Sequence, residues 1–173
     1  MTKTMRGVSF SLATVGALAV SVAIAADDLD RGKVIATQGN GAAGFPGMAG
    51  LNAQYLSKQL HDYASGLRKN AIMQPFANAL TEDDIQNVTA YYQSLKPLAS
   101  AIAYQVPAAD NQGEWLAMRG DWSNNIPACN QCHGPGGMGV GSVFPALAGQ
   151  HKSYLKAQLD AWRTGSRDND PGQ

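Results

Sequence analysis

The apolar positions of this chain form one continuous run near the start and then a series of helical stripes. Val8 to Val22 is mostly apolar, is preceded by Lys3 and Arg6, and leads into Ala23-Ile24-Ala25. A positive start, an apolar middle and a small-residue end predict a secretory leader cleaved near Ala25. The run is short for a membrane span and meets Asp27, Asp28 and Asp30 at once, so cleavage is expected, with an uncleaved anchor as the alternative. Beyond it, Asp28 to Thr37 is a short helix candidate. Asn52 to Ser65 places Tyr55, Leu56, Leu60, Tyr63 and Ala64 on one helical face, with Gly66 at the C-cap. Thr81 followed by Glu82, Asp83 and Asp84 reads as an N-cap with an acidic first turn. The helix it opens runs through Ile85, Val88, Tyr91, Tyr92 and Leu95 until Pro97 stops it. Residues 112–119 and 153–164 repeat the first two patterns. Strand alternation is nowhere evident, so the chain is expected to be all-α, small and loop-rich. Its aromatic stripes, with Trp115 and Trp162, are read as core, with contact to a cofactor as the alternative, Trp162 foremost.

The chain also matches itself. Phe45-Pro46-x-x-Ala49-Gly50 recurs as Phe144-Pro145-x-x-Ala148-Gly149, an offset of 99 that also pairs Tyr55 with Tyr154, Gln59 with Gln158, Arg68 with Arg167 and Asn70 with Asn169. Two copies of one unit are therefore present. Upstream of that block, Gly32 aligns best with Gly113, an offset of 81. The difference is 18 residues missing from the first copy. With the break after Asn40, the missing piece corresponds to Trp122 through Gly139, and Gly39-Asn40-Gly41-Ala42-Ala43-Gly44 marks the splice. The second copy ends at Gln173 with no counterpart of the helix that begins after Thr81.

Charge and cysteine content narrow the chemistry. Loss of Lys3 and Arg6 with the leader reduces 13 basic residues to 11 against 13 acidic ones, a net charge of −2. No basic stripe suggests nucleic acid. Both cysteines lie in Cys129-Asn130-Gln131-Cys132-His133, the spacing by which two thiols add to the vinyl groups of a c-type haem and the next histidine ligates its iron. Asn124, Asn125, Pro127 and Gly134-Pro135-Gly136-Gly137 surround the pair with loop chemistry. A redox dithiol or disulfide would want strands and helices in alternation there, and a structural zinc would want four ligands. Those two remain the alternatives. His61 and His151 are read as surface or capping residues, and Met118 and Met138 as poor candidates for an iron ligand.

These residues resemble a diheme cytochrome c of the cytochrome c4 family, with two class I cytochrome c domains in tandem. The marks are the Cys129 to Gly134 motif, the Phe-Pro-x-x-Ala-Gly block in both copies and the Tyr-Leu-x-x-Gln-Leu helix that ends in Gly-x-Arg. The resemblance implies a leader over 1–26 and a first cytochrome c-like domain over 27–98 without its attachment motif. It further implies a linker over 99–111 and a haem-binding domain over 112–173, truncated before its distal ligand. It implies thioethers at Cys129 and Cys132, His133 as proximal ligand, and the Pro145 carbonyl hydrogen-bonded to that histidine's Nδ1. The family's distal methionine falls at Met73, in the copy with nothing to hold a haem, so Met73 is read as a stranded former ligand more than a working one.

One covalent haem c and a periplasmic one-electron carrier are the resulting expectations. The partners would be a respiratory donor or terminal oxidase, with membrane association only through them, and no substrate would be transformed. A missing methionine would leave a lower potential and an iron that is water-bound or five-coordinate. The alternatives are an open-site haem protein that binds small ligands or acts on peroxide, and a non-functional fragment of a diheme cytochrome.

Overall fold

The computed structural model describes residues 46–99 and 110–170. The leader, the Asp28–Thr37 helix, the glycine-rich splice and most of the linker lie outside the described residues. Among the described residues, six helices run in the order α1 (Ala53–Ser65), α2 (Met73–Ala79), α3 (Glu82–Ser94), α4 (Gln112–Arg119), α5 (Cys129–His133) and α6 (Lys152–Arg163). Short 3₁₀ turns at Trp122–Asn124 and Pro135–Gly137 flank α5. Among the described residues there is no strand, only three isolated bridges, and no helix long and apolar enough to cross a membrane.

Local sequence accounts for the helix ends. Asn52 Oδ1 accepts from the Gln54 and Tyr55 amides at 2.9 and 3.2 Å, and Gly66 closes α1 at φ 81°, a left-handed conformation costly for other residues. Thr81 and Asp84 form a reciprocal capping box at the start of α3. Two helices differ from expectation. Residues 73–79 form α2 because Pro75 sits in the first turn, where a missing N–H costs nothing. The attachment motif itself is helical despite its loop-like flanks.

In the first half, α3 and α2 both pack on α1. Leu51, Leu56, Val88 and Tyr92 form the buried cluster, with Met48, Tyr55, Leu60 and Leu95 packed around it. The second half has no comparable core: α4, α5 and α6 bury no residue, and Ala128 is its one buried hydrophobic among those described. Trp115 and Trp162, expected in a core, are 45% and 38% exposed. Helix α4 packs only on the short α5, and α6 on no helix among the described residues, while the Arg167 guanidinium, 4.1 Å over the Trp162 ring, covers that side chain only in part.

The halves meet through the residues that the repeat pairs. Arg68 and Arg167 form an antiparallel bridge. Arg68 donates to Gln59 Oε1 at 2.7 Å and Arg167 to Gln158 Oε1 at 2.8 Å, the same contact in each copy. Arg68 also crosses to Gln158 Oε1 at 2.7 Å and to the Tyr154 hydroxyl at 2.9 Å, while Arg167 reaches Gln59 Oε1 at 3.5 Å. The contacts are reciprocal, as a two-fold relation between copies requires. Burial pushes the Tyr63 phenol up to about 12, and Arg68 stacks 4.7 Å over its ring. A second clasp lies at Gln150, whose amide accepts from Gly47 N at 2.8 Å and donates to Gly47 O at 2.9 Å.

Candidate haem-attachment site

Helix α5 places Cys129 and Cys132 three residues apart, hence on one helical face. Both sulfurs are free thiols on exposed residues, with no disulfide between them. His133, half-buried, is the last residue of the helix.

The loop that follows turns back over the histidine. Gly134 and Gly139 adopt φ of 75° and 88°. A side chain at Gly139 would also meet the Ala146 amide at 2.8 Å, so glycine is required there for both reasons. Gly139 N donates to His133 O at 2.7 Å, and the amides of Leu147 and Ala148 donate to Gly137 O at 2.8 and 3.0 Å. These bonds bring the Pro145 carbonyl 2.7 Å from His133 Nδ1. A carbonyl only accepts, so Nδ1 carries the proton and Nε2 keeps its lone pair for a metal. The Phe144 ring packs edge-on against the imidazole at 5.8 Å between centroids. Two sulfurs on one face, an imidazole with its outer nitrogen free and a glycine loop that admits close approach together fit a covalently tethered haem.

The other sequence candidates lie apart from this group. Met73 is half-buried at the start of α2, which packs on α1 in the first half. Met118 is held from the other direction, since Asn130 Nδ2 donates to its sulfur at 2.7 Å. Met138 is half-buried on the loop itself. His151 is exposed at the N-cap of α6 and makes no side-chain cap bond. His61 is half-exposed and not merely solvated: Nδ1 lies 2.8 Å from Ser57 O and Nε2 3.0 Å from Glu82 Oε2. The backbone acceptor at Ser57 and then the Glu82 carboxylate hold its pKa above the ordinary value. Phe144 and the Asn130–Met118 contact escaped sequence reasoning, because nothing in their spacing marks a packing role.

No protein-family model matches the chain. A thiosulfate dehydrogenase electron acceptor of Thiomonas intermedia is 49% identical over 133 residues, 77% of this chain and 61% of that protein. One from Stutzerimonas stutzeri is 44% identical over 186 residues and covers 96% of this chain and 85% of its own length. Cytochrome c4 of Pseudomonas aeruginosa is 37% identical over 75% of this chain and 63% of its own. The chain thus spans 61% to 85% of these relatives. Among solved structures, reduced cytochrome c4 of Pseudomonas stutzeri superposes with a TM-score of 0.69 at 34% identity, covering 85% of this chain and 84% of that one. The thiosulfate dehydrogenase of Marichromatium purpuratum superposes with a TM-score of 0.71 at 40% identity, covering 83% of this chain and 34% of that one.

Proposed function

The chain belongs to the cytochrome c4 family of c-type cytochromes, and on that premise we propose that it is an exported, periplasmic one-electron carrier with a single haem c in its second half. Cys129 and Cys132 would tether the haem, and His133 Nε2 would donate to its iron. When bound, the haem supplies an Fe(III)/Fe(II) couple at this position. The Pro145 carbonyl fixes the plane of the imidazole and raises its donor strength, and Phe144 blocks rotation of the ring. Met73 serves as an apolar side chain of the first half. The observation that carries this reading is the 2.7 Å contact between His133 Nδ1 and Pro145 O, with His133 directly after the second of two thiols that share one helical face.

The electron donor we propose is a thiosulfate dehydrogenase, because two relatives are named as acceptors for that enzyme. The test is a potentiometric titration of the purified haem-loaded protein, followed by mixing with thiosulfate and a thiosulfate dehydrogenase. A reversible one-electron wave and full reduction by the enzyme are expected. An irreversible wave would overturn the carrier reading. A reversible wave without enzymatic reduction would overturn only the donor.

A further inference from the structure

The two copies part company at one point on their matching helices. At the offset of 99, Lys58 and Asp62 of α1 correspond to Ala157 and Ala161 of α6. The first half therefore has an ion pair that the second lacks: Lys58 Nζ binds Asp62 Oδ2 across one helical turn, with the Asp62 side chain 9% exposed. That pair does not close on itself. Lys58 Nζ also donates to the Asn169 carbonyl at 2.9 Å, and Asn169 Nδ2 donates to Asp62 Oδ2 at 2.6 Å and to Gln59 Oε1 at 3.1 Å. Three bonds to α1 thus hold one residue of the second half. Its repeat-mate Asn70 works within its own half, where its Oδ1 accepts from the Ile72 and Met73 amides at 3.0 and 2.9 Å.

Asn169 passes the hold on. Its Oδ1 accepts from Arg167 Nε at 2.9 Å, and the Arg167 guanidinium stacks on Trp162. The same stack in the first copy, Arg68 on Tyr63, has no need of such help, because Tyr63 is buried within its own half. Arg167 is buried as well, and among the described residues it pairs with no carboxylate. Its acceptors Gln158 and Asn169 are neutral, and the neighbouring Asp168 and Asp170 are exposed, where water and salt screen them. Lys58 meanwhile cancels the charge of Asp62, so the carboxylate at the far end of these bonds does not neutralise the guanidinium. A fixed positive charge in the second half is thereby held in place from the first.

We infer that Lys58, Asp62 and Asn169 are positioning residues for the redox half: they keep Arg167 buried against Trp162, and its charge holds the reduction potential up. This rests on the reading that the second half carries the haem. One electron added at the cofactor lowers the local charge by one, which a buried cation favours more strongly than a solvated one. Released from Asn169, the long Arg167 side chain turns its head towards water, and that support is lost. The first half then sets the potential of a cofactor tethered in the second.

The sign of the change in potential separates positioning from bare charge. Asp62→Asn removes a negative charge, Lys58→Met removes a positive one, and Asn169→Ala changes none. Acting through Arg167, all three should lower the midpoint potential of the full-length haem-loaded protein. Each should shift the Fe(III)/Fe(II) equilibrium about threefold or more towards the oxidised form, on a scale where tenfold is about 59 mV. Lys58→Arg, which keeps a charged donor, should restore the parental value. Lys156→Met, which removes the exposed pair with Asp160 on α6, should leave it unchanged. Hydrogen exchange over residues 164–170 should quicken in the first three variants, with haem content and Soret band as in the parent. Potentials that move in opposite directions for Asp62→Asn and Lys58→Met would overturn the inference, because the two would then act as bare charges. Unchanged potentials, or unchanged exchange, would overturn it too, and loss of covalent haem would reduce these residues to a structural role. If dithionite and ferricyanide fail to cycle the parent protein reversibly, the carrier reading falls and takes the inference with it, a result distinct from all the others.

Discussion

In the first half, α3 lies along α1 and closes Leu51, Leu56, Val88 and Tyr92 into a cluster. In the second half, α6 carries Leu159 and Trp162 at 65% and 38% exposure, packs on no helix among the described residues and buries none of its own. One repeat unit thus has two outcomes: the copy without thiols is held by its own side chains, and the copy with them leaves its apolar surface facing outward around α5 and α6. The contrast fits the proposal that a c-type haem sits in the second half. Bound there, as proposed, it would add apolar core to the second half as well as a redox centre. The first half supports that arrangement through the arginine network, which spans both copies.

The largest break in this comparison should come from Cys132→Ser. It removes one tether, and we expect covalent haem to be lost on a denaturing gel stained for haem. Limited proteolysis should then cut within residues 112–163 while 46–98 remains protected; equal resistance of both halves would refute the proposed asymmetry. Next is Leu56→Ala, which opens a cavity in the first-half cluster and should cost about 2–5 kcal/mol in urea unfolding. The haem absorption spectrum should be unchanged.

Arg68→Ala tests whether the halves are coupled. Its hydrogen bonds reach Gln59, Gln158 and Tyr154, and losing them should cost about 2 kcal/mol. A double-mutant cycle with Arg167→Ala should show a coupling of about 0.5–3 kcal/mol, and additive costs would mean that the halves are independent. Thr81→Ala removes the capping box of α3 and should cost about 1 kcal/mol, confined to the first half.

The smallest effect is the titration of His61. Its folded pKa is raised by Ser57 O and Glu82, so it favours the folded state at pH below its unfolded value of about 6.5. That contribution fades as pH rises through the folded pKa. His61→Gln should flatten the stability profile over this window, measured by urea melts at stepped pH, and a profile identical to the parent would refute the contact.

What was legible from residues alone follows the same division. Periodicity and caps marked α1 and α3, because Asn52, Gly66 and Thr81 act through local hydrogen bonds that depend on near neighbours. The Cys129–His133 spacing marked the site, because its chemistry needs residues at fixed separation on one turn of chain. Helix α2 was hidden by Pro75, which reads as a breaker unless its place in the first turn is known. Trp115 and Trp162 were misplaced because a helical stripe records which face is apolar and not what covers it. Gln59, Arg68, Gln158 and Arg167 were visible as repeated letters, yet their meeting depends on how the two copies are apposed, which no local pattern encodes.

The central claim is that one half of the chain carries the cofactor and the other supports it. Pyridine haemochrome quantitation on the purified full-length protein, with mass analysis of its peptides, tests this most directly. One haem per chain, on the peptide that contains Cys129 to His133, is the predicted result; two haems per chain, or a haem attached elsewhere, would contradict it.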